Sequence, residues 1–383
     1  MTILFHSARK LDAAGQVDGF WMLVDGDRIV RTGSGPAETT DAWTVATERV
    51  DVAGHWLVPG FIDIHCHGGG GYAFDEGGDS IAPALAAHRA HGTTRSVLSL
   101  VTNPLANLRE SLATIAELAK SDPLVLGSHL EGPFLAEGRR GAHNPDYLRE
   151  PQPYELEELI AASAGTLRQI TLAPELPGAM ESIDVLVELG ITVAVGHTEA
   201  SFEQAQEAFS RGARLLTHAF NAMAGIHHRK PGPVIAAFED DRVTLELILD
   251  GLHVHPDVAA VAFASAPHRV ALVTDAMAAA ASSDGDYRLG SLNVTVKDGL
   301  ALLSGTDTIA GSTLTQDAAL RCAIERARVT PAHAVEALTL TPARVLGIEH
   351  EFGYLKQGYA ADAVLLGHEW QVSSVWAAGR QLS

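Results

Sequence analysis

Eight short apolar runs, rich in β-branched residues and separated by stretches with helical patterning, fill the chain between residues 57 and 275. They read LVPGFIDIH (57–65), TTRSVLSLVT (93–102), LVLGSHLE (124–131), LRQITLAPE (167–175), TVAVGH (192–197), RLLTH (214–218), TLELILDGLH (244–253) and RVALVTD (269–275). Strands that alternate with helices pair in parallel, because each helix carries the chain back to the starting edge of the sheet. Most of the runs are apolar without alternation, as strands covered on both faces are. Eight units within roughly 220 residues predict an α/β fold, a closed (β/α)8 TIM-like barrel rather than an open sheet. Local punctuation agrees. Ser201 with Gln204 has the spacing of a capping box, Gly212 stops that helix before RLLTH, and SIDVLVELG closes on Gly190 before the fifth run.

The chain ends differ from this pattern. Residues 1–53 contain short alternating segments such as FWMLVDGDRIVRTG, and GYLKQGYAADAVLLG near the other end looks alike. Neither end has enough strands to be stable alone, so the two are expected to pair into a small β-sandwich domain, residues 1–53 with 345–383, leaving 54–344 as the catalytic barrel. A hairpin-like segment, YRLGSLNVTVKDGLALL (287–303), follows the eighth run.

Composition narrows the function. Of the 383 residues, 46% are hydrophobic, enough for one large core and a satellite. Two cysteines, Cys66 and Cys322, cannot form a disulfide framework and favour a reducing compartment. No charged-then-apolar segment opens the chain and no apolar run is long enough to span a membrane, so a cytoplasmic location is expected. A formal net charge of −20 argues against nucleic acid and anionic membranes as partners. An anionic small molecule would need a local basic patch to offset that field, and IHHRKPG (226–232) is a candidate.

Chemistry concentrates where the runs end. In FIDIHCH (61–67), strand alternation points His65 and His67 to one face and Ile64 and Cys66 to the other. The third run ends in Glu131, the fifth in His197, the sixth in His218, the seventh in His253 and the eighth in Asp275. The carboxyl ends of the strands form the barrel face on which such folds build active sites. Imidazole with carboxylate is the ligand set of a hydrolytic zinc or iron centre, and with both cysteines outside it a thiolate site is disfavoured. A metal of that kind makes water acidic and polarises a carbonyl, as amide hydrolysis requires, and Asp275 is the candidate proton shuttle. Gly68 to Gly71 could form an anion nest, but the preferred reading is a tight exit from the strand that leaves space over the metals.

The paired histidines after the first run, the acid after the third, histidines after the fifth and sixth and an aspartate after the eighth resemble the amidohydrolase superfamily. The motifs HLEGPF, GRRGAHNP, GHTEA, THAFNAM, HHRKPG, DGLHV, VTDAM and AGSTLT are similar to those of its N-acetylglucosamine-6-phosphate deacetylase family, over nearly the whole chain. The resemblance implies Glu131, His197 and His218 as principal metal ligands, His65 and His67 as holders of a second ion, and Glu131 as a bridge. One or two divalent metals follow, zinc first, with iron, manganese or cobalt as alternatives. It makes Asp275 the general base and acid. It places His143 and Arg229 at a sugar phosphate, assisted by Asn221 and the backbone of Ala222, with His253 on the sugar or the acetyl carbonyl. Arg229 would act across a homodimer interface. TLAPEL departs from superfamily members that use a lysine after the fourth strand, which disfavours dihydropyrimidinase-like and urease-like readings. Two alternatives stay open: an amidohydrolase acting on another N-acyl amino sugar or N-acyl amino acid, and a non-catalytic barrel that binds an amino-sugar phosphate.

Overall fold

The computed structural model describes residues 1–383. Eight parallel strands form one sheet in sequential order: β1 (Phe61–Cys66), β2 (Thr93–Val101), β3 (Val125–Glu131), β4 (Leu167–Leu172), β5 (Thr192–Val195), β6 (Leu215–Leu216), β7 (Thr244–Ile248) and β8 (Val270–Val273). All eight runs seen in the sequence become these strands. The sheet curls until its edges meet: Asp275 N donates to His65 O at 2.8 Å, and Cys66 bridges Ala276 in parallel. Every residue of β1 and β2 is buried, which is why their sequences show no polar outer face. The helices between the strands complete a (β/α)8 barrel. Helix Phe202–Arg211 begins with the capping box, Ser201 Oγ accepting from Gln204 N and the Gln204 side chain accepting from Ser201 N. It ends on Gly212 with φ 118°.

The run LVPGFIDIH is two strands, not one. Trp56–Pro59 pairs with Ala363–Leu366 and with Arg9 and Lys10, outside the barrel, whereas Phe61–Cys66 is β1. Gly60 is the crossing point, where any Cβ would collide with the Thr94 side chain. Both chain ends share the outer sheet. Its order runs from Arg380–Gln381 through Val372–Ala377, Ala363–Leu366, Trp56–Pro59, Thr2–Asp12 and Gly15–Asp25 to Arg28–Ser34, with Glu48–Asp51 also on Thr2–Asp12. Alternation divides its residues between two cores. Ile3, Phe5, Met22 and Val24 pack with Ala363 and Trp376, while Leu4, Trp21 and Leu23 pack with Ala37, Ala42 and Ala46. A buried bidentate pair joins the outer sheet to the barrel: Arg95 of β2 donates through Nε and Nη2 to Asp362 at 2.6 and 3.1 Å.

The segment after β8 is a three-stranded antiparallel sheet, Gly285–Leu289, Leu292–Lys297 and Leu300–Leu303. Its apolar face, Leu289, Val294 and Val296, packs on Val101, Ala142 and Met277, so it sits beside the mouth of the barrel. No helix is long and apolar enough to cross a membrane.

Candidate active site

Three of the strand-end residues leave their strands through a sharp turn. His197, His218 and Asp275 have φ of 47°, 27° and 47°, in the left-handed region that side chains with a Cβ rarely adopt. Such backbone costs about 1–3 kcal/mol per residue and persists where the surrounding structure over-determines it. Here the turns aim these side chains inward over the barrel axis, where they meet His65, His67 and Glu131.

Glu131 is the hub. Its Oε1 lies 3.3 Å from His65 Nε2, 3.2 Å from His197 Nε2 and 3.1 Å from His218 Nε2. Its Oε2 lies 3.2 Å from His67 Nε2 and 3.4 Å from His143 Nε2. Asp275 Oδ1 approaches His67 Nε2 at 3.2 Å and His65 Nε2 at 3.5 Å. The rings also converge on one another, with Nε2 separations of 3.2 Å for His65 and His67 and 2.9 Å for His197 and His218. Ligand atoms of His65, His67, Glu131 and Asp275 all fall within 4.8 Å of each other.

The donor set passes a direct test for a divalent metal. The His65 Nδ1 proton faces Glu246 Oε2 at 3.0 Å, and that of His197 faces the Arg139 carbonyl at 2.8 Å. In the neutral rings those bonds leave the Nε2 lone pairs pointing at each other and at a carboxylate, so only a cation reconciles them. Without metal, protons must serve. Burial opposes charge on His67, but the Asp275 and Glu131 carboxylates outweigh it and raise its pKa to about 9. His65 is likewise raised well above the ordinary value against burial, by Glu131, Asp275 and Glu246. Burial would raise Asp275, yet His65 and His67 hold it down at about 2. His143 goes the other way: burial and the His197 ring lower it to about 4.

Beneath the cluster lies a layer of buried polar groups. Glu246 accepts from His65 Nδ1, from Gln169 Nε2 at 2.9 Å and from His218 N at 3.2 Å. His129 bonds Ser99 Oγ at 2.9 Å and Thr171 Oγ1 at 2.8 Å, and burial together with neighbouring His65 keeps its pKa well below the ordinary value. Asp63 accepts from Thr274 Oγ1 at 2.6 Å. The sequence reading passed over Glu246. Its one signal is a carboxylate inside the apolar strand TLELI, at a position that is wholly buried.

Above the cluster a cavity of about 280 Å³ opens at the mouth. Asn221, Ala222, His143 and His253 line it together with Glu131 and Asp275. The His143 ring lies 4.6 Å from that of His197, and its Nδ1 is 2.9 Å from Thr102 Oγ1. His253 is oriented by Asp250, Oδ2 to Nδ1 at 2.7 Å. Asn221 caps its own turn through Nδ2 to the His218 and Ala219 carbonyls at 3.2 and 3.3 Å. Arg229 does not join them. It is exposed in the loop of residues 226–231, with Nη1 2.7 Å from His228 Nε2, and does not line its own chain's cavity. Arg139, which the sequence reading did not single out, does line it.

Cys66 points away from the cluster, its Sγ 3.2 Å from His88 Nε2, and burial pushes the thiol up to about 12. The glycines after His67 make no anion nest. Gly68, Gly70 and Gly71 donate to the carbonyls of Ala276, Ala280 and Ala278 at 3.0, 2.7 and 2.8 Å. A Cβ on Gly69 would sit 2.7 Å from His88 Nε2, so the tight packing requires glycine there.

Known proteins share this architecture. An N-acetylgalactosamine-6-phosphate deacetylase of Escherichia coli O157:H7 is 37% identical over 100% of both chains. The N-acetylglucosamine-6-phosphate deacetylase of Vibrio furnissii is 37% identical over 85% of this chain and 82% of its own. Among solved structures, an aspartate-to-alanine variant of N-acetyl-D-glucosamine-6-phosphate deacetylase from Mycobacterium smegmatis, in complex with N-acetyl-D-glucosamine-6-phosphate, superposes with a TM-score of 0.94 at 40% identity, covering 100% of this chain and 99% of that one. The enzyme of the same name from Thermotoga maritima gives 0.89 at 26% identity, covering 99% of each chain. The amidohydrolase family profile matches residues 56–382, from the outer strand that precedes β1 almost to the last residue, and the chain belongs to that family.

Proposed function

We propose that this protein removes the acetyl group from the amine of N-acetylglucosamine 6-phosphate, giving glucosamine 6-phosphate and acetate. The observation that carries the reading is the convergence of four imidazole nitrogens and two carboxylates at the floor of the mouth cavity, in a chain similar over its length to deacetylases of that substrate. Glu131, His197 and His218 would hold one divalent ion and His65 with His67 a second, zinc being the first candidate, with Glu131 between them. A metal so held lowers the pKa of water towards 7 and polarises a carbonyl oxygen. Asp275, at the cavity wall and 3.2 Å from His67 Nε2, takes the proton of the attacking water and returns it to the amine as the amide C–N bond breaks. His143, assisted by Asn221 and the Ala222 backbone, would meet the sugar phosphate, and His253 the sugar or the acetyl carbonyl. Arg229, exposed and outside its own cavity, would serve a neighbour in a homodimer. We also read residues 1–53 with 345–383, completed by the strand Trp56–Pro59, as a small supporting domain, and a cytoplasmic location accords with two unpaired buried cysteines.

A second reading differs only in the sugar epimer, because the E. coli relative that spans the whole chain acts on the galactosamine compound. Acetate release by metal-reconstituted protein tests both. Rapid release from N-acetylglucosamine 6-phosphate, slow release from its C4 epimer and almost none from unphosphorylated N-acetylglucosamine is expected. Preference for the galactosamine epimer selects the second reading, and equal rates with and without phosphate overturn both.

A further inference from the structure

We infer that Arg139 is the cation within the same chain that receives the phosphate of the substrate, an inference that rests on the amino-sugar phosphate reading above. A dianion entering this cavity meets a protein of net charge −20 and a wall that contains Glu131 and Asp275. That wall holds one arginine and no lysine, and the arginine is Arg139. Its Nε is buried and has no hydrogen-bond partner, although an unpaired buried donor costs about 1–3 kcal/mol and more when charged. Such a donor beside a cavity matches a ligand that supplies the missing acceptor. Guanidinium suits phosphate, since its fork makes two parallel N–H···O bonds.

The position of Arg139 is set by the metal cluster itself. Ala136 N donates to His197 O at 2.9 Å, and His197 Nδ1 donates to Arg139 O at 2.8 Å. The short turn Glu137–Arg139 is therefore clamped at both ends to one candidate ligand. Its carbonyl orients the imidazole and the residue lines the cavity, so anion site and metal cluster would be tied together through one turn. Arg229, exposed in its own loop, would then add a second guanidinium rather than the only one.

The test separates side chain from backbone. Arg139→Ala keeps the carbonyl that holds His197, so metal content should stay at wild-type level. We expect its KM for N-acetylglucosamine 6-phosphate to rise about 10–100-fold, kcat to change little, and the slow rate on unphosphorylated N-acetylglucosamine to hold. Arg139→Lys should recover part of the loss, keeping the charge without the fork. Equal losses on both sugars, or a fall in metal content, would show a structural role and overturn the inference, as would an unchanged KM. Calorimetric titration of the metal-loaded protein with inorganic phosphate is independent of the acyl group. If wild type releases no acetate but binds phosphate through Arg139, the deacetylase reading fails and the anion site stands. If wild type is active and Arg139→Ala binds phosphate equally well, the anion site fails alone.

Discussion

Strand β8 has His268 just before it and Asp275 just after it, and each belongs to a cluster of imidazole and carboxylate groups. At the entry end His268 lies with His333 and Glu336, and at the exit end Asp275 lies with His65, His67 and Glu131; within either cluster the ligand atoms fall inside 4.8 Å. Residue type and spacing do not tell them apart. Burial and the supply of protons do. At the entry end the His268 side chain is 56% exposed, and both Glu336 oxygens are already satisfied, by His268 Nδ1 at 2.7 Å and Arg344 Nη1 at 3.1 Å. At the exit end all four side chains are buried and the Nε2 atoms crowd a single carboxylate. Closed pairs stabilise a surface, whereas open lone pairs in a buried floor call for a cation.

Four measurements can break or sharpen that contrast. Asp275→Asn should lower turnover about 10²–10⁴-fold while metal content, read by elemental analysis, stays near wild type; a variant with near-normal kcat would remove Asp275 from proton transfer. Metal affinity should climb with pH. His67 in the metal-free protein is raised to about 9 and His65 is raised as well, so below pH 9 a binding metal must expel protons, and apparent affinity rises about tenfold per pH unit for each proton expelled. Chelator competition across pH 6–9, with calorimetry in buffers of different ionisation enthalpy, reads both the slope and the proton release, and a flat profile would mean the site is not protonated when empty.

Glu246→Gln tests the layer below. It removes the charge that holds the His65 Nδ1 proton, and about 10–100-fold weaker metal binding is expected with the fold retained, as judged by circular dichroism. Undiminished affinity would leave Glu246 a packing residue. The smallest effect belongs to the entry end: His268→Ala should leave kcat, KM and metal content unchanged and cost at most about 1 kcal/mol in denaturant unfolding. A loss of bound metal in that variant would erase the distinction between the two ends.

Much of this was readable in the chain. Strand alternation alone put His65 and His67 on one side and Cys66 on the other, and their atoms lie as expected. The strand ends named the rest of the cluster, because a barrel delivers every β-to-α turn to the same mouth. Three features escaped. Trp56–Pro59 looked like the start of β1 because apolar residues suit either sheet, and only the partners Ala363–Leu366 assign it to the outer one. Glu246 goes unmarked in the sequence, since a buried acid and an exposed one read alike without neighbours. Arg139 carries no local mark in the sequence, and only the bond between its turn and His197 reveals it.

The sequence by itself determined the eight-unit barrel and the identity of the groups at its mouth, because periodicity and strand-end position are local properties that hydrophobic burial enforces residue by residue. Only the tertiary structure decided which of those groups share a proton or a cation. His65 meets Glu246 across 181 positions of sequence and His197 meets Glu131 across 66. Hydrogen bonds and charges act over a few ångströms, and only the closing of the barrel sets such distances between residues so far apart in the chain.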